Sequence, residues 1–430
     1  MNYQELYKSK MSSVEECLNM IRPGDVISVG GNLCEPKVFL THLGDYAKHF
    51  DGVEIVTGKQ QTYSYQTMPG LRGKLDTIGH FFDKGQREGQ KVGNVTHIPT
   101  NLHDYMKVTM EARNINVFVG QVTSMDENGN FMLSGSNMWE MENLQTAQVV
   151  ILEVNHKVPR FGGCITVPIE RVTKLYEVDT PLVYLPRSVP TENDKIIASY
   201  VAEHIHDRDC IQLGIGGMPD TVANSLFDKH DLGLHTEMFT SVACDLIEAV
   251  VITGKYKNID PGKHVGTFTL GDEKAYGVLS SNHDILFRPA CYTNDPFIIS
   301  KNDNMVSINA ALEIDLTGQI CSESIGPLQW SGTAGAWDFA YGASQSKGGR
   351  GIIAINSTAK GGTISRIKPI LTPGAVVTIP RTVADIIVTE YGVAYLRGRS
   401  VRQRTENLIA IAHPDFRAEL RREAEKLMYL

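Results

Sequence analysis

Apolar runs alternate with amphipathic segments along the chain, and this pattern predicts an α/β fold. Near the middle, the short apolar strand of residues 210–213 passes into the glycine turn of residues 214–217. Pro219 follows where a helix can begin, and Val222 and Leu226 give that helix an apolar face. A strand, a glycine turn and a helix in this order present backbone N–H groups at a positive helix end. Such a site suits phosphate, pyrophosphate or a developing oxyanion.

The next predicted strand, residues 234–236, is short and ends on Glu237. In a parallel sheet, Glu237 would reach the carboxyl edge where the glycine turn also lies. We therefore predict a nucleophile that faces an oxyanion site. The alternative is that the glycines only turn the chain and Glu237 is a solvated loop acid, because a short glycine pattern alone is weak evidence.

Two segments early in the chain resemble two later ones. Residues 26–43 repeat the order of strand, glycine turn, proline and amphipathic helix seen after residue 210. Residues 115–131 resemble residues 305–319, since each passes from an apolar strand to an Asp-containing turn with glycine. The matched landmarks have nearly equal spacing in the two copies: 129 − 30 = 99 positions from Gly30 to Gly129, and 318 − 216 = 102 from Gly216 to Gly318. We predict a duplicated domain.

A chain of 430 residues is too long for one ordinary core, so two domains are expected. Residues 185–191 read as an exposed linker with a helix cap at Asn193 or Asp194, which places the boundary near residue 188. The predicted lobes are residues 1–188 and 189–430, two similar open α/β lobes with the active site at their interface. Aligning the copies puts Val56 opposite Glu237, so the second lobe would carry the reactive group.

Charge and composition exclude several classes of protein. The formal net charge of −8 argues against binding nucleic acid or an anionic membrane. No apolar run approaches the roughly 20 residues of a membrane span, and the first ten residues lack the features of a signal or transit peptide. The seven cysteines are scattered, without a CxxC pair or a His at metal spacing. We expect a cytoplasmic protein with reduced, mostly buried thiols and no metal.

Three further stretches carry polar or glycine-rich chemistry. Residues 329–339 form a second glycine-rich run. Lys360 follows the buried strand of residues 351–355 in a Ser/Thr/Gly loop, where it can meet a phosphate or simply be solvated. The polar stretch of residues 58–66 is predicted to be a loop at the strand edge, with a variable surface loop as the alternative.

Together these stretches resemble the class I CoA-transferases, in particular the acetyl-CoA hydrolase/transferase family and its group of 4-hydroxybutyrate CoA-transferases and butyryl-CoA:acetate CoA-transferases. The resemblance covers essentially the whole chain. Its most specific segments are, in family order, residues 212–217, 235–238, 292–296, 389–392 and 411–416.

The resemblance implies a role for each matching residue. Glu237 would be the nucleophile, and Gly216, Gly217, Asn294 and Gly335 would support the oxyanion. The predicted CoA-binding residues are Gln212, Leu213, Gly214, Ile215, Gly216, Ser331, Gly335 and Lys360. The predicted pocket for the acid is lined by Gly31, Asn32, Glu35 and Gln60.

The expected function is transfer of CoA between short-chain carboxylic acids, acetate with butyrate, propionate or 4-hydroxybutyrate, by ping-pong kinetics through a glutamyl-CoA thioester. Coenzyme A enters as the acyl-CoA substrate, and neither a metal nor a nicotinamide is expected. Because this reaction needs little proton transfer, we expect His235 to position its neighbours rather than to act as a base. Family analogy further implies a homodimer or a higher homo-oligomer.

Three alternatives stay open at this point. An acyl-CoA hydrolase can use the same scaffold. A dinucleotide-binding oxidoreductase can use the residue 214 turn, although Pro219 interrupts the full GxGxxG pattern. A CoA-sensing module without turnover is the third. The chain is also shorter than the relatives that use succinyl-CoA, and it has no certain equivalent of their arginine for the second carboxylate, which disfavours a dicarboxylate substrate.

Overall fold

The computed structural model describes residues 2–214 and 216–430, which form two compact units. The first unit runs to Leu185 and also includes Thr267–Cys291, and the second comprises Pro186–Gly266 and Tyr292–Leu430. The predicted boundary at residue 188 lies close to Pro186, where the chain first passes from the first unit into the second. The two contiguous predicted lobes differ from the observed units, however, because Thr267–Cys291 packs with the first one.

The first unit is built on a seven-stranded sheet whose strands all run parallel. Strands separated by helices along the chain pair in this way because each helix returns the chain to the same edge. In spatial order the sheet is β4-β3-β2-β1-β5-β6-β7. In chain order the strands are β1 (Val26–Val29), β2 (Val53–Thr57), β3 (Leu75–Gly79), β4 (Val95–His97), β5 (Val117–Val122), β6 (Val149–Asn155) and β7 (Lys174–Val178).

The second unit contains a six-stranded sheet in the order β9-β8-β10-β11-β12-β13. Its first five strands are parallel, and only the hairpin of the last two is antiparallel. In chain order these strands are β8 (Cys210–Leu213), β9 (Gly233–Leu234), β10 (Met305–Ala310), β11 (Arg350–Ala354), β12 (Ile386–Thr389) and β13 (Gly392–Tyr395).

Helices connect the strands of both units. In chain order they are α1 (Tyr3–Lys10), α2 (Val14–Leu18), α3 (Lys37–Ala47), α4 (Lys84–Lys91), α5 (Tyr105–Ala112), α6 (Glu140–Thr146), α7 (Glu192–Ala202), α8 (Gly217–Asn224), α9 (Ser241–Glu248), α10 (Glu273–Ser281), α11 (Ala290–Thr293), α12 (Pro296–Ile299), α13 (Ala336–Gln345), α14 (Val401–Ala410) and α15 (Pro414–Lys426). The predicted caps of α7 were wrong: Thr191 caps this helix in a reciprocal capping box with Asp194.

The remaining elements are short. Single-turn 3-10 helices cover Asn32–Cys34, Ser64–Thr67 and Ile169–Arg171. Short strands outside the two large sheets cover Asn130–Leu133, Ile165–Pro168, Met238–Phe239, His264–Gly266, Phe268–Thr269, Ile285–Phe287, Glu313–Asp315, Ile320–Cys321, Ser324–Ile325, Leu328–Gln329, Thr358–Ala359, Ile364–Ser365 and Ile367–Lys368.

Each unit has its own hydrophobic core around its sheet. In the first unit, Ile27 and Val29 of β1 are buried in a cluster with Phe39 and Leu43 of α3. In the second unit, Ile353 of β11 and Ile387 of β12 are buried in one cluster with residues of α14 and α15. The near-continuous burial of these strands is typical of parallel sheets covered on both faces.

The two units share the turn that the sequence comparison matched. In the first, Asp126 accepts hydrogen bonds at Oδ1 from the N–H groups of Asn128 (3.0 Å) and Asn130 (2.8 Å). In the second, Asp315 accepts at Oδ1 from Thr317 N–H (2.9 Å) and Gln319 N–H (3.0 Å). The same acceptor atom therefore serves the same relative positions in both turns, which supports the predicted duplication.

The order of the strands is also alike in the two units. In each, the strand before the glycine turn lies between the next strand of the chain and a strand from the later half of the predicted repeat. Ile27 in β1 lies beside Ile55 in β2, and Ile211 in β8 lies beside Leu234 in β9. Ile27 also lies beside Val117 and Ile211 beside Val306, which come nine residues before Asp126 and Asp315 respectively, so the two pairs are equivalent. Gly30 then corresponds to Gly214, and not to Gly216 as the sequence comparison had it.

The register corrects the predicted alignment of Val56 with Glu237. Counting three residues onward from each pair, Gly58 in the first copy occupies the position of Glu237 in the second. A Cβ atom at Gly58 would overlap the rings of His80 and Trp139. In the first copy, aromatic side chains therefore fill the space next to the position that carries a carboxylate in the second.

Candidate active site

Glu237 follows β9 at the carboxyl end of the second sheet, as the sequence predicted. The chain before it stays paired with β8: His235 N–H donates to Ile211 O (3.1 Å), and Leu213 N–H donates to the Thr236 hydroxyl oxygen (3.2 Å). Glu237 is only 6% exposed. The alternative of a solvated loop acid is therefore wrong, because Glu237 is a buried carboxyl group held by an extension of the sheet.

Two of the predicted supporting residues contact this carboxyl group. Asn294 donates a hydrogen bond from Nδ2 to Glu237 Oε2 (2.9 Å), and the Gly335 N–H also donates to the carboxylate. A Cβ atom at Gly335 would overlap both Glu237 Oε2 and Asn294 Nδ2. Residue 335 must therefore be glycine for the backbone to approach so closely.

The surroundings raise the pKa of Glu237 from 4.5 to about 7. Burial is the main cause because it penalises the charged form, and the negative charge of Asp338 adds to the increase. The hydrogen bonds from Asn294 and Gly335 act in the opposite direction, because they stabilise the carboxylate. The group is thus close to half ionised at neutral pH, and a strongly shifted buried carboxyl group is typical of functional sites.

Glu237 lies at the start of the ten-residue helix α13, where Gly335 is the N-cap. The positive end of the helix dipole favours a negative charge at this point. Asp338 is fully buried in the first turn of the same helix. The sequence analysis missed Asp338; an acidic residue three positions after a glycine run was the available signal.

His235 is fully buried and stands two residues before Glu237. Its Nε2 lies 2.8 Å from the backbone oxygen of Thr293, which is the residue before Asn294. Burial lowers the pKa of His235 to about 3, so the ring is neutral and Nε2–H donates to this carbonyl oxygen. A neutral, buried ring with this bond agrees with the predicted positioning role and disfavours a general base.

The predicted CoA turn has a rigid side and an open side. On the rigid side, the Gln212 amide pairs reciprocally with the Asn309 amide, with both N···O distances at 3.2 Å. Leu213 is buried, and a Cβ atom at Gly214 would meet Asn309 Oδ1 at 2.9 Å. Gln212 therefore fixes the position of the turn rather than offering its side chain to a ligand. The sequence analysis did not identify its partner, Asn309.

On the open side, Gly216 has φ +121°, which favours glycine, and a Cβ atom there would meet nothing within 4 Å. Gly217 begins α8, and its nearest side-chain neighbour is Ser188. Ile215, also predicted to bind CoA, lies outside the described residues. The exposed glycine backbone at this helix start leaves room for a large ligand.

Two other predicted CoA residues lie on separate loops of the second unit. Ser331 donates from Oγ to Ser322 O (3.1 Å) and is half-buried. Lys360 is exposed in a turn with φ +48°, just after the strand Thr358–Ala359. A lysine at such an exposed turn can reach a phosphate in solvent. The predicted contact of Lys360 with CoA stays a prediction.

The four residues predicted to line the acid pocket all lie in the first unit. Gly31 and Asn32 both adjoin Met138: a Cβ atom at Gly31 would meet Met138 Cε, and Asn32 Nδ2 lies 3.7 Å from Met138 Sδ. Glu35 accepts from the N–H groups of Gln61 and Thr62 (both 2.8 Å). It therefore anchors the loop of residues 58–66.

Gln60 lies within this same anchored loop. Its Oε1 accepts from Tyr65 OH (2.5 Å) and from Gln66 Nε2 (2.7 Å). All three of these side chains are buried. This part of the loop is therefore packed at the end of β2, although Lys59 and Ser64 are exposed. Whether it contacts an acid stays a prediction.

Three general findings bear on the other predictions. Among residues 2–214 and 216–430, no group of three or more His, Cys, Asp or Glu side chains is placed to hold a metal ion. Five of the seven cysteines are buried, while Cys164 is half-buried and Cys291 exposed. Over the same described ranges, no helix is long and apolar enough to cross a membrane.

Comparison with known proteins identifies the family. The acetyl-CoA hydrolase/transferase N-terminal domain matches residues 1–201, and the C-terminal domain of the same family matches residues 271–424. The crystal structure of RipA from Yersinia pestis matches 100% of both chains with a TM-score of 0.94 at 34% identity. The fold is therefore that of a known enzyme family, and its α/β class is confirmed.

Curated relatives cover nearly all of the chain. It is 38% identical to the succinyl-CoA:cyclohexane-1-carboxylate CoA transferase of Geobacter metallireducens, over 99% of this chain and 97% of that one. It is 36% identical to the 4-hydroxybutyrate coenzyme A transferase of Clostridium kluyveri, over 99% of this chain and 100% of that one. Relatives named acetyl-CoA hydrolase are more distant, at 24–25% identity. The chain belongs to the acetyl-CoA hydrolase/transferase family, and the predicted family is confirmed.

Proposed function

We propose that the protein is a CoA-transferase that moves CoA between short-chain carboxylic acids through a thioester on Glu237. The observation that carries this proposal is the buried Glu237 carboxyl group, with Asn294 Nδ2 at 2.9 Å and the Gly335 N–H directed at it. The full-length relatives of this chain bear the names of CoA-transferases, which supports the same enzyme class.

The first half-reaction begins when the Glu237 carboxylate attacks the carbonyl carbon of acyl-CoA. The C–S bond breaks, CoA leaves as a thiolate, and the acyl group and Glu237 form a mixed anhydride. The thiolate then attacks the glutamyl carbonyl carbon of this anhydride. The first acid leaves as its carboxylate, and Glu237 holds CoA as a glutamyl thioester.

The second half-reaction reverses these steps with a different acid. Its carboxylate attacks the glutamyl thioester, which releases CoA thiolate and forms a second mixed anhydride. The thiolate attacks the acyl carbonyl of that anhydride, giving the new acyl-CoA and the free Glu237 carboxylate. No net proton transfer is needed, which agrees with a neutral His235 whose Nε2–H is directed at Thr293 O.

Each addition step creates an oxyanion that needs hydrogen-bond donors. The Gly335 N–H and Asn294 Nδ2 already lie at the Glu237 carboxyl group, which becomes the reacting carbonyl in the glutamyl thioester. The backbone N–H groups of Gly216 and Gly217 are further candidate donors at the start of α8. One donor of this type typically contributes about 3 kcal/mol to the transition state.

We assign CoA recognition to the turn of residues 212–216, to Ser331 and Gly335, and to Lys360 at the phosphate end. Binding of the large CoA moiety supplies energy for positioning the thioester. We assign choice of the acid to Gly31, Asn32, Glu35 and Gln60. The small Gly31 and the neutral amides of Asn32 and Gln60 favour monocarboxylates. The name of one relative also includes succinyl-CoA and a cyclic acid, so the substrates to be tested include both.

Transfer and hydrolysis differ in whether water reaches the intermediate. Glu237 is 6% exposed, which favours transfer because a buried thioester is protected from water. The direct test follows loss of acetyl-, butyryl- and succinyl-CoA with and without added acetate, 4-hydroxybutyrate or cyclohexane-1-carboxylate. Loss that depends on the acid and yields a new acyl-CoA supports transfer, whereas an equal rate without the acid indicates a hydrolase.

We further propose a cytoplasmic homo-oligomer. The reduced, mostly buried cysteines are typical of a reducing compartment. Sedimentation of the purified chain measures its oligomeric state.

An oxidoreductase is the alternative from a different class of enzyme. Reduction of NAD in the presence of short hydroxy acids, measured by absorbance, would support that alternative.

A further inference from the structure

The glycine-rich loop of residues 329–335 leads directly into α13 and ends on Gly335, beside the nucleophile. It follows a short hairpin whose two strands are Ser324–Ile325 and Leu328–Gln329. Glu323 precedes this hairpin and is only 3% exposed. A buried carboxylate next to a functional loop needs a structural explanation, because burial of an unpaired charge is costly.

The Glu323 side chain is satisfied largely by this loop. Thr333 donates from Oγ1 to Glu323 Oε1 (3.2 Å), and Gln329 donates from Nε2 to Glu323 Oε2 (3.2 Å). Thr378 adds a bond to Oε1 (3.0 Å) from outside the loop. The backbone oxygen of Glu323 also accepts from the N–H groups of Trp330 (2.8 Å) and Ser331 (3.0 Å). One residue therefore fixes both the beginning and the middle of the loop.

Thr333 connects this anchor to the catalytic carboxyl group. The next residue, Ala334, has φ +44°, a left-handed conformation that is strained for a residue other than glycine. Ala336 N–H donates to Thr333 O (3.1 Å), which closes the turn around Ala334. Gly335 then directs its N–H at Glu237. Strain of this kind persists only where surrounding contacts hold it, and the Glu323–Thr333 bond is such a contact.

We propose that Glu323, acting through Thr333, is a positioning residue that holds the Gly335 N–H against the Glu237 carboxyl group. The proposal rests on the proposed function, in which Glu237 is the nucleophile. It assigns Glu323 no contact with substrate, because its oxygens are occupied by Thr333, Gln329 and Thr378.

A purely structural role predicts a different result. If the Glu323–Thr333 bond only stabilises the fold, its loss lowers Tm without changing how the reaction depends on pH. If it positions Gly335, its loss withdraws a hydrogen bond that lowers the pKa of Glu237. The acid limb of the pH profile then moves upward. Of the charged groups that face Glu237, Asp338 stays in place in α13, and the nearby His235 ring is neutral.

The test compares Thr333→Val with Thr372→Val in the full chain. Thr372 is a matched control: it is also half-buried and outside residues 329–335, and it donates from Oγ1 to another glutamate, Glu313 (2.7 Å). The readouts are kcat, KM for acyl-CoA, the pH profile of kcat/KM, and Tm. For Thr333→Val we expect kcat/KM at pH 7 to fall about tenfold and the acid limb to rise by about half a unit or more.

The control variant, Thr372→Val, should lower Tm about as much as Thr333→Val does, but it should keep the pH profile of the parent enzyme. Thr333→Ser restores the hydroxyl group and should recover most of the activity. A Thr333→Val enzyme with the parental kcat/KM and pH profile would overturn the proposal. If this variant does not fold, Glu323→Ala decides by the same profile, since it removes the acceptor of the Thr333 hydroxyl group.

Failure of this inference is distinguishable from failure of the proposed function. Suppose that the parent enzyme transfers CoA and is labelled at Glu237, while the Thr333 and Glu323 variants keep the parental kcat/KM and pH profile. That result refutes only the positioning role. A parent enzyme without acid-dependent transfer refutes the proposed function itself.

Discussion

Asn294 donates a 2.9 Å hydrogen bond from Nδ2 to Glu237 Oε2, and both side chains are buried. The other amide atom of Asn294, Oδ1, has no hydrogen-bond partner among the described residues. The His235 ring fixes the preceding carbonyl group, Thr293 O. Two buried polar side chains, Asn294 and His235, therefore hold one amide group in place beside one carboxyl group. Such an arrangement is expected where a charge must be stabilised in a definite position.

The first prediction concerns pH. Only the ionised Glu237 is a nucleophile, so kcat/KM should rise with pH through an apparent pKa of about 7. Asn294→Ala removes a bond that lowers this pKa, so the acid limb should move to higher pH and kcat/KM at pH 7 should fall by about 10- to 100-fold. Initial rates over pH 5–9 measure both effects; an unshifted limb in the variant would contradict this assignment.

The second prediction concerns stability. The pKa of Glu237 rises from 4.5 to about 7 on folding, so the neutral form is the stable one in the folded state. The stability from this group is fully present below pH 4.5 and is lost as pH rises through about 7, with a loss of up to about 3 kcal/mol. Glu237→Gln should therefore raise Tm above pH 8 and change it little below pH 5. Calorimetry at both pH values checks this, and a lower Tm at high pH would refute it.

The third prediction concerns backbone approach. Gly335→Ala places a methyl group where Glu237 Oε2 and Asn294 Nδ2 now lie, so we expect a loss of at least about 100-fold in kcat. Gly277→Ala is the matched control, because a Cβ atom there meets nothing within 4 Å in the helix α10. It should keep full activity and gain about 0.5–1 kcal/mol in stability. Equal activity of the two variants would show that Gly335 has no role at the site.

The fourth prediction separates the acid from CoA. Glu35 accepts two N–H groups of the loop at residues 58–66, whereas a glutamine there can accept only at one oxygen. Glu35→Gln should raise KM for the carboxylic acid about tenfold and leave KM for acyl-CoA nearly unchanged. Steady-state kinetics with acetate and butyrate measures this. A change confined to KM for acyl-CoA would contradict this prediction, because it would show that the loop serves CoA and not the carboxylic acid.

The sequence predicted what depends on local pattern. The glycine turn at residue 214 and the position of Glu237 after a short strand both follow from adjacent residues. The Asp126 and Asp315 turns were also found as a repeated pattern, since the spacing of Asp and Gly is fixed by the turn itself.

Contacts between distant residues were harder to predict. The pairing of Gln212 with Asn309, the field of Asp338 at Glu237 and the anchor of Glu323 join residues that no local periodicity relates. The Val56 alignment failed because β9 is only two residues long, so the pattern gave too few positions to set its register. The relative arrangement of the predicted lobes stays a prediction from the sequence.

The central claim is that Glu237 becomes a thioester of CoA. The most direct measurement incubates the enzyme with acetyl-CoA alone, adds sodium borohydride, and maps the digested peptides by mass spectrometry. We predict loss of activity and conversion of the Glu237 carboxyl group to a primary alcohol, with the peptide containing Asp338 unchanged and Glu237→Gln unmodified. Full activity after borohydride, with an intact Glu237 peptide, would contradict the covalent mechanism.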